Sequence, residues 1–204
     1  MNPVEWLHDV YVKRRRVHAL AKSIVPSLPL NATVLDVGCG DGALAEEILR
    51  QRADVRIEGL EVSPRGKQRI PVSMFDGASL PLPDASRDIV LFADVLHHTH
   101  HAENLLREAC RVARSAVVIK DHTADGVLAF PTLRFMDRVG NVRFGVPLPH
   151  LYLTWVEWQR LFDRLGVEVM AVNRRLGLYP WPLSLVFERS LHFVARLTCA
   201  RHRP

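Results

Sequence analysis

Short unbroken apolar runs alternate along this chain with stretches whose apolar residues recur every three to four positions. Val34 to Val37, Val55 to Leu60, Val72 to Phe75, Ile89 to Ala93 and Ala116 to Lys120 are compact runs bounded by turn residues, and each predicts a strand. Ala43 to Arg50 has helical spacing, as does Val4 to Ile24, where basic residues sit between the apolar ones before Pro26 and Pro29. Thr154 followed by Glu157 three residues later predicts a capping box that opens a helix running to Leu165, with Gly166 ending it. Val167 to Asn173 and His192 to Thr198 predict two further strands. Strands alternating with helices imply an α/β architecture with a largely parallel sheet. Two stretches break the rhythm. Asp121 to His150 is a long insertion rich in Phe, Gly and Pro, read as a lid with a helix over Pro131 to Val139; an insertion of that size in a compact domain is usually functional. Leu178 to Phe187, with Tyr179 and Trp181, is a second apolar loop that could wall the same pocket.

The first strand runs directly into Gly38-Cys39-Gly40-Asp41-Gly42, a turn whose spaced glycines allow tight folding and close approach of a ligand. A strand, a glycine turn and a helix also open the dinucleotide fingerprint, and Gly38 to Ala43 fits its looser form. Charge separates the ligands. Asp36 and Asp41 on the flanks would repel a pyrophosphate at the helix N-terminus and favour a cationic ligand. Glu61 ends the second strand about twenty residues after the first glycine, where an acid can accept hydrogen bonds from ribose hydroxyls in either kind of site.

The glycine turn with its acids resembles motif I of the class I S-adenosylmethionine-dependent methyltransferases. The resemblance extends through Asp76-Gly77 after the third strand, LPLPDASRDIV from Leu80 to Val90, Asp94-Val95-Leu96-His97-His98 after the fourth strand, and Arg111-Val112. It is similar to the small-molecule branch of that family from Thr33 to Lys120, and in outline elsewhere. The family's usual Lys-Pro-Gly-Gly before strand five is replaced here by Ala113-Arg114-Ser115. The resemblance implies a Rossmann-like seven-stranded sheet with its last strand antiparallel and helices on both faces. It implies S-adenosyl-L-methionine as cofactor, held by Asp36, Gly38, Cys39, Gly40, Glu61, Val62, Asp76, Gly77, Ala93 and Asp94. One methyltransferase domain over residues 1–204 is expected: a helical cover at 1–30, a cofactor core at 33–120, the lid at 121–150, and the closing helix and strands at 151–204.

Composition agrees with one such domain. The chain has 204 residues, 48% of them hydrophobic, which suffices for one full core. No leader pattern or membrane-length apolar run is apparent, so a cytoplasmic protein is expected. Cys39, Cys110 and Cys199 are odd in number and far apart, which predicts neither a disulfide framework nor a zinc pattern. The net charge of +5 raises the question of nucleic acid. The basic residues are dispersed with no interleaved aromatic stripe, which points away from that partner and leaves an anionic substrate or an acidic membrane surface open.

Methyl transfer from a sulfonium is an in-line displacement with a neutral leaving group, so alignment and desolvation are the main requirements. A base matters only for an acceptor that must lose a proton. The candidates stand after strands four and five: Asp94, His97, His98, Asp121 and His122, with His98, Asp121 and His122 the expected catalytic group. Tyr11 and His18 on the leading helix are weaker candidates for facing an acceptor, since core or surface placement suits them better. Asp94 and Asp121 stand roughly where magnesium ligands lie in relatives that methylate catechols, but His122 replaces the amide oxygen and magnesium prefers oxygen. The run His97-His98-Thr99-His100-His101 could recruit zinc or nickel in vitro, yet His100 and His101 fall at a helix start facing solvent. No metal is expected. The acceptor is expected to be a small or lipid-like molecule, and two alternatives remain: a nicotinamide-dependent oxidoreductase and a catalytically silent partner module.

Overall fold

The computed structural model describes residues 14–64, 66–141 and 149–199. In chain order the elements are α1 (Arg14–Ile24), β1 (Thr33–Val37), α2 (Ala43–Gln51), β2 (Arg56–Glu61), β3 (Val72–Met74), β4 (Arg87–Ala93), α3 (Ala102–Val112), β5 (Ala113–His122), α4 (Ala129–Asn141), α5 (Trp155–Leu165), β6 (Glu168–Asn173), α6 (Ser184–Phe187) and β7 (His192–Thr198). Seven strands form one sheet in the order β3-β2-β1-β4-β5-β7-β6. The first five are mutually parallel, while β7 runs antiparallel to both β5 and β6.

Strand alternation builds two cores. Leu35, Val37, Val90, Phe92, Val117 and Ile119 face α3 and α5, meeting Leu105, Leu106, Trp158 and Phe162. Val34, Ile89, Leu91, Ala116 and Val118 point the other way, onto Leu20, Ile24, Ala45 and Ile48 of α1 and α2. Burying each large side chain contributes about 1.5–3 kcal/mol. This two-sided burial explains why the strands read as continuous apolar runs. Trp158 also satisfies its indole, donating Nε1–H to the His122 carbonyl at 2.9 Å.

The capping box forms as expected: Thr154 Oγ1 accepts from Glu157 N, and Glu157 returns a carboxylate to Thr154 N at 2.8 Å. Three expectations are corrected. The insertion after strand five begins later than residue 121, because Asp121 and His122 pair with Phe193 and His192 and so belong to β5. The insertion's helix spans Ala129–Asn141, wider than predicted. Cys110 and Cys199 form a disulfide across 89 residues, with Cα atoms 5.6 Å apart, because the sheet brings the end of β7 alongside α3. An odd cysteine count hides such a pair. Tyr11, Phe144 and the leading half of the predicted first helix lie outside the described residues.

Candidate functional site

The glycine turn is anchored by β2. Gly38 N and Cys39 N both donate to the Leu60 carbonyl, at 2.7 and 3.2 Å. Gly38 has φ +73°, and a Cβ there would lie 2.6 Å from Val95 Cγ2, so neither its conformation nor its surroundings tolerate a side chain. Gly40, at φ +59°, instead faces open space, while its N–H donates to Glu61 Oε2 at 2.8 Å. The other oxygen of Glu61 accepts from Val62 N at 2.9 Å. Asp36 is buried beneath the turn; burial, and then the like charge of Glu61, push its pKa up to about 7. Asp41 does not share that position: its carboxylate accepts from Ala43 N and pairs with Arg69. Cys39 fits where Gly59 has no side chain, since a Cβ on Gly59 would come within 2.3 Å of its sulfur. Burial, with Asp36 and Glu61 nearby, pushes the Cys39 thiol up to about 12, which leaves it unreactive at neutral pH.

The ends of β2 and β3 meet beside this turn. Asp76 accepts from Ala78 N and Ser79 N at 2.8 and 2.7 Å, and those amides hold it below the usual carboxylate range. Gly77 has φ +81°, and a Cβ there would touch Val62 at 3.1 Å. Glu61, Val62, Asp76 and Gly77 therefore lie side by side, with Val62 half exposed. Room at Gly40, an exposed apolar residue and carboxylates at two strand ends fit a cationic adenosyl cofactor. The two acids at Asp36 and Glu61 do not suit a pyrophosphate.

Asp94 follows Ala93 at the end of β4 with φ +60°, and its N–H donates to the Lys120 carbonyl at 2.9 Å. Its carboxylate is gripped by Arg16 of α1 at 2.8 Å and by the ammonium of Lys120, with His122 Nε2 3.3 Å away. Burial opposes the charge on Asp94, and Lys120, Arg16 and His122 together hold it well below the ordinary carboxylate range. Asp94 is thus held as a carboxylate by its cationic neighbours. Lys120 is completely buried; burial lowers its pKa against the pull of Asp94.

Asp121, fully buried, accepts from Leu96 N at 3.0 Å, from His122 N at 2.8 Å and from His97 Nδ1 at 2.6 Å. All three expected catalytic residues lie in this region, and the Asp121 carboxylate is occupied by these three hydrogen bonds. His97 is buried in the short 3-10 turn Leu96–His98. Burial disfavours its charge, yet Asp121 and Asp137 more than offset this and raise its pKa to about 10. Helix α4 supplies Asp137, which accepts the hydroxyl hydrogen of Tyr152. His122 is driven well below its usual range by burial and Lys120, and its ring lies 4.9 Å from that of His192. His98 is lowered by burial and His97, and it keeps partial exposure. His18 lies at the surface, paired with Glu47 at 2.8 Å.

Sequence reasoning missed Arg16, Lys120, Asp137, Tyr152 and His192. Lys120 alone carried a signal, a lysine closing an otherwise apolar strand.

A family model described as a methyltransferase domain matches residues 6–172. The 27-O-demethylrifamycin SV methyltransferase of Amycolatopsis mediterranei (strain S699) is 31% identical over 110 residues, covering 47% of this chain and 40% of that protein. A probable S-adenosylmethionine-dependent methyltransferase of Mycobacterium tuberculosis (strain ATCC 25618 / H37Rv) is 32% identical over 103 residues, 48% of this chain and 38% of the relative. The match therefore spans well under half the length of either relative. Among solved structures, an S-adenosylmethionine-dependent methyltransferase from Thermotoga maritima, described as a possible histamine N-methyltransferase, superposes with a TM-score of 0.70 at 20% identity. That superposition covers 96% of this chain and 95% of the other.

Proposed function

Because the chain belongs to the class I S-adenosylmethionine-dependent methyltransferase family, we propose that it methylates a small or medium-sized, partly apolar metabolite by in-line transfer. The carrying observation is Glu61, fixed by the Gly40 amide at the mouth of an open glycine turn. In this reading Glu61 receives the ribose hydroxyls, while Val62, Asp76 and Gly77 flank the adenine. Asp36, Gly38, Cys39 and Gly40 line the amino-acid end, and Ala93 with Asp94 closes it. When bound, the cofactor supplies a sulfonium methyl group as electrophile.

The chain's own contribution is alignment and exclusion of water. Arg16 ties α1 over the ends of β4 and β5 through Asp94. A protic acceptor passes its proton to the neutral imidazole of His98, which retains the exposure that His122 lacks; Asp121 and His122 act by positioning. An apolar or lipid-like acceptor is supported by the surface around the lid, where Val127, Leu128, Phe130, Phe135, Trp181 and Leu185 are exposed. A cytoplasmic location, with peripheral membrane contact allowed, belongs to the same proposal; among the described residues no helix is long and apolar enough to cross a membrane.

Titration calorimetry with S-adenosylmethionine, S-adenosylhomocysteine and NAD tests the reading. Micromolar binding of the first two, abolished in Glu61→Ala, is expected. Binding of NAD alone would overturn it in favour of an oxidoreductase.

A further inference from the structure

The turn after β4 and the lid helix α4 meet through a group of side chains that methyl transfer as such does not require. We propose that His97 Nε2, His98 Nε2 and the Asp137 carboxylate form a site for a divalent transition-metal ion of the zinc class, with a fourth position for water or the acceptor.

The donor atoms lie within 4.8 Å of one another. His97 Nε2 and His98 Nε2 stand 3.4 and 3.8 Å from Asp137 Oδ1. Tetrahedral ligands bound at about 2.1 Å are separated by about 3.4 Å, so only small side-chain shifts are needed to close on an ion. His150 Nδ1, 3.7 Å from Asp137 Oδ2, stands beside the group. Two imidazoles and a carboxylate suit zinc, iron or cobalt and do not suit magnesium.

Two independent features point to a ligand. His97 Nε2 is buried and makes no well-formed hydrogen bond among the described residues. The opposite nitrogen of the same ring is 2.6 Å from Asp121, which is itself fixed by two backbone amides. A carboxylate behind a histidine keeps a proton on Nδ1 and supports a metal on Nε2; the Nε2 proton that faces Asp137 in the metal-free protein leaves when an ion binds. The second possible group, His97 with Asp121 and His122, is less suited, because Asp121 Oδ1 already holds His97 through Nδ1 and His122 faces Asp94, whereas Asp137 takes the Tyr152 hydroxyl on Oδ2 and turns Oδ1 towards the two histidines. The histidine run is therefore divided: His97 and His98 turn towards the lid, whereas His100 and His101 are exposed.

An ion here ties α4 to the end of β4. Its further role rests on the methyl-transfer reading: as a Lewis acid it acidifies an oxygen, nitrogen or sulfur acceptor, whose proton goes to solvent, and His98 is then a ligand with no part as base.

The test needs no cofactor. The full chain, stripped with a chelator and dialysed, is titrated with Co²⁺ and followed by its visible spectrum. The expected result is saturation at one equivalent with the intense bands of a four-coordinate site, and displacement of those bands by Zn²⁺. His98→Gln and the shape-conserving Asp137→Asn should each weaken binding about tenfold or more, with circular dichroism confirming that they fold. His100→Gln combined with His101→Gln should leave the spectrum unchanged. Absence of a saturable band, its survival in both ligand variants, or its loss on changing His100 and His101 would overturn the proposal. Failure to bind S-adenosylmethionine would count against the methyl-transfer reading and leave the metal result standing.

Discussion

Lys120 and Asp94 form an ion pair at the carboxyl ends of β5 and β4, with the lysine side chain wholly removed from solvent. Its stability consequence is asymmetric, since removing one partner of a buried pair leaves a charge without compensation, whereas removing both does not. Lys120→Met should destabilise the fold by about 3–5 kcal/mol, moderated by Arg16, which still holds Asp94. Adding Asp94→Asn should recover much of that loss. Urea unfolding of both single variants and the double variant measures the coupling, and additive effects would show that the pair contributes little.

If Asp36 lines the proposed cofactor site, cofactor binding should depend on pH. Its folded pKa is raised to about 7, so it holds its proton where the unfolded chain has released it. Such a shift stabilises the fold below about 3.8, the ordinary carboxyl value, and the contribution is lost as pH rises through about 7. A cationic ligand favours the carboxylate. Binding of S-adenosylmethionine near pH 6 should therefore release a proton, and affinity should climb with pH until it flattens above about 7. Calorimetry in two buffers of different ionisation enthalpy counts the protons. S-adenosylhomocysteine, lacking the sulfonium charge, should release fewer, and Asp36→Asn none.

Gly59 and Cys39 should behave as one packing unit. Adding a methyl group as Gly59→Ala forces a Cβ to within 2.3 Å of the Cys39 sulfur. We expect a loss of about 1–3 kcal/mol, as for other overpacked sites. Combining it with Cys39→Gly should return much of the lost stability, measured as the shift in thermal midpoint. An unchanged midpoint in Gly59→Ala would mean that the turn can move away from β2.

The Cys110–Cys199 bond closes a long loop, and in the chain-entropy account a loop of this length is worth about 4–5 kcal/mol. Reduction should lower the unfolding free energy by that order, read from urea titrations, and Cys110→Ser should abolish the difference between oxidised and reduced samples. Peptide mapping without reductant should recover the linked pair with Cys39 as a free thiol. In a reducing cytoplasm the bond would be open, so the state recovered from cells also tests the proposed location.

Much of this fold is legible because both faces of the sheet are covered. Continuous apolar runs such as Ile89 to Ala93 state their strands without ambiguity, and β7 has the predicted limits. The turn at Gly38 to Gly42 was readable for a similar reason, since positive φ values and a close approach leave only glycine. The opposite end of the site was not. Arg16, Asp137 and Tyr152 come from separate elements, and nothing local to each distinguishes a residue that folds inward from one that faces water. The histidine run shows the limit most clearly: two pairs of histidines separated by Thr99 divide between the interior and the surface, with the 3-10 turn ending between them.

The placement of β7 between β5 and β6 carries a consequence for biosynthesis. Its register sets Val117 opposite Leu197, a pairing across nearly the whole second half of the chain, and β6 bonds to the sheet through β7 alone. As the chain leaves the ribosome, the glycine turn and the parallel strands β1 to β5 can assemble while the outer edge of β5 stays open. β6 emerges before the strand that will hold it. That interval exposes an unpaired apolar edge at Val117 to Ile119, the kind of surface chaperones recognise, until the last strand arrives and brings His192 against His122.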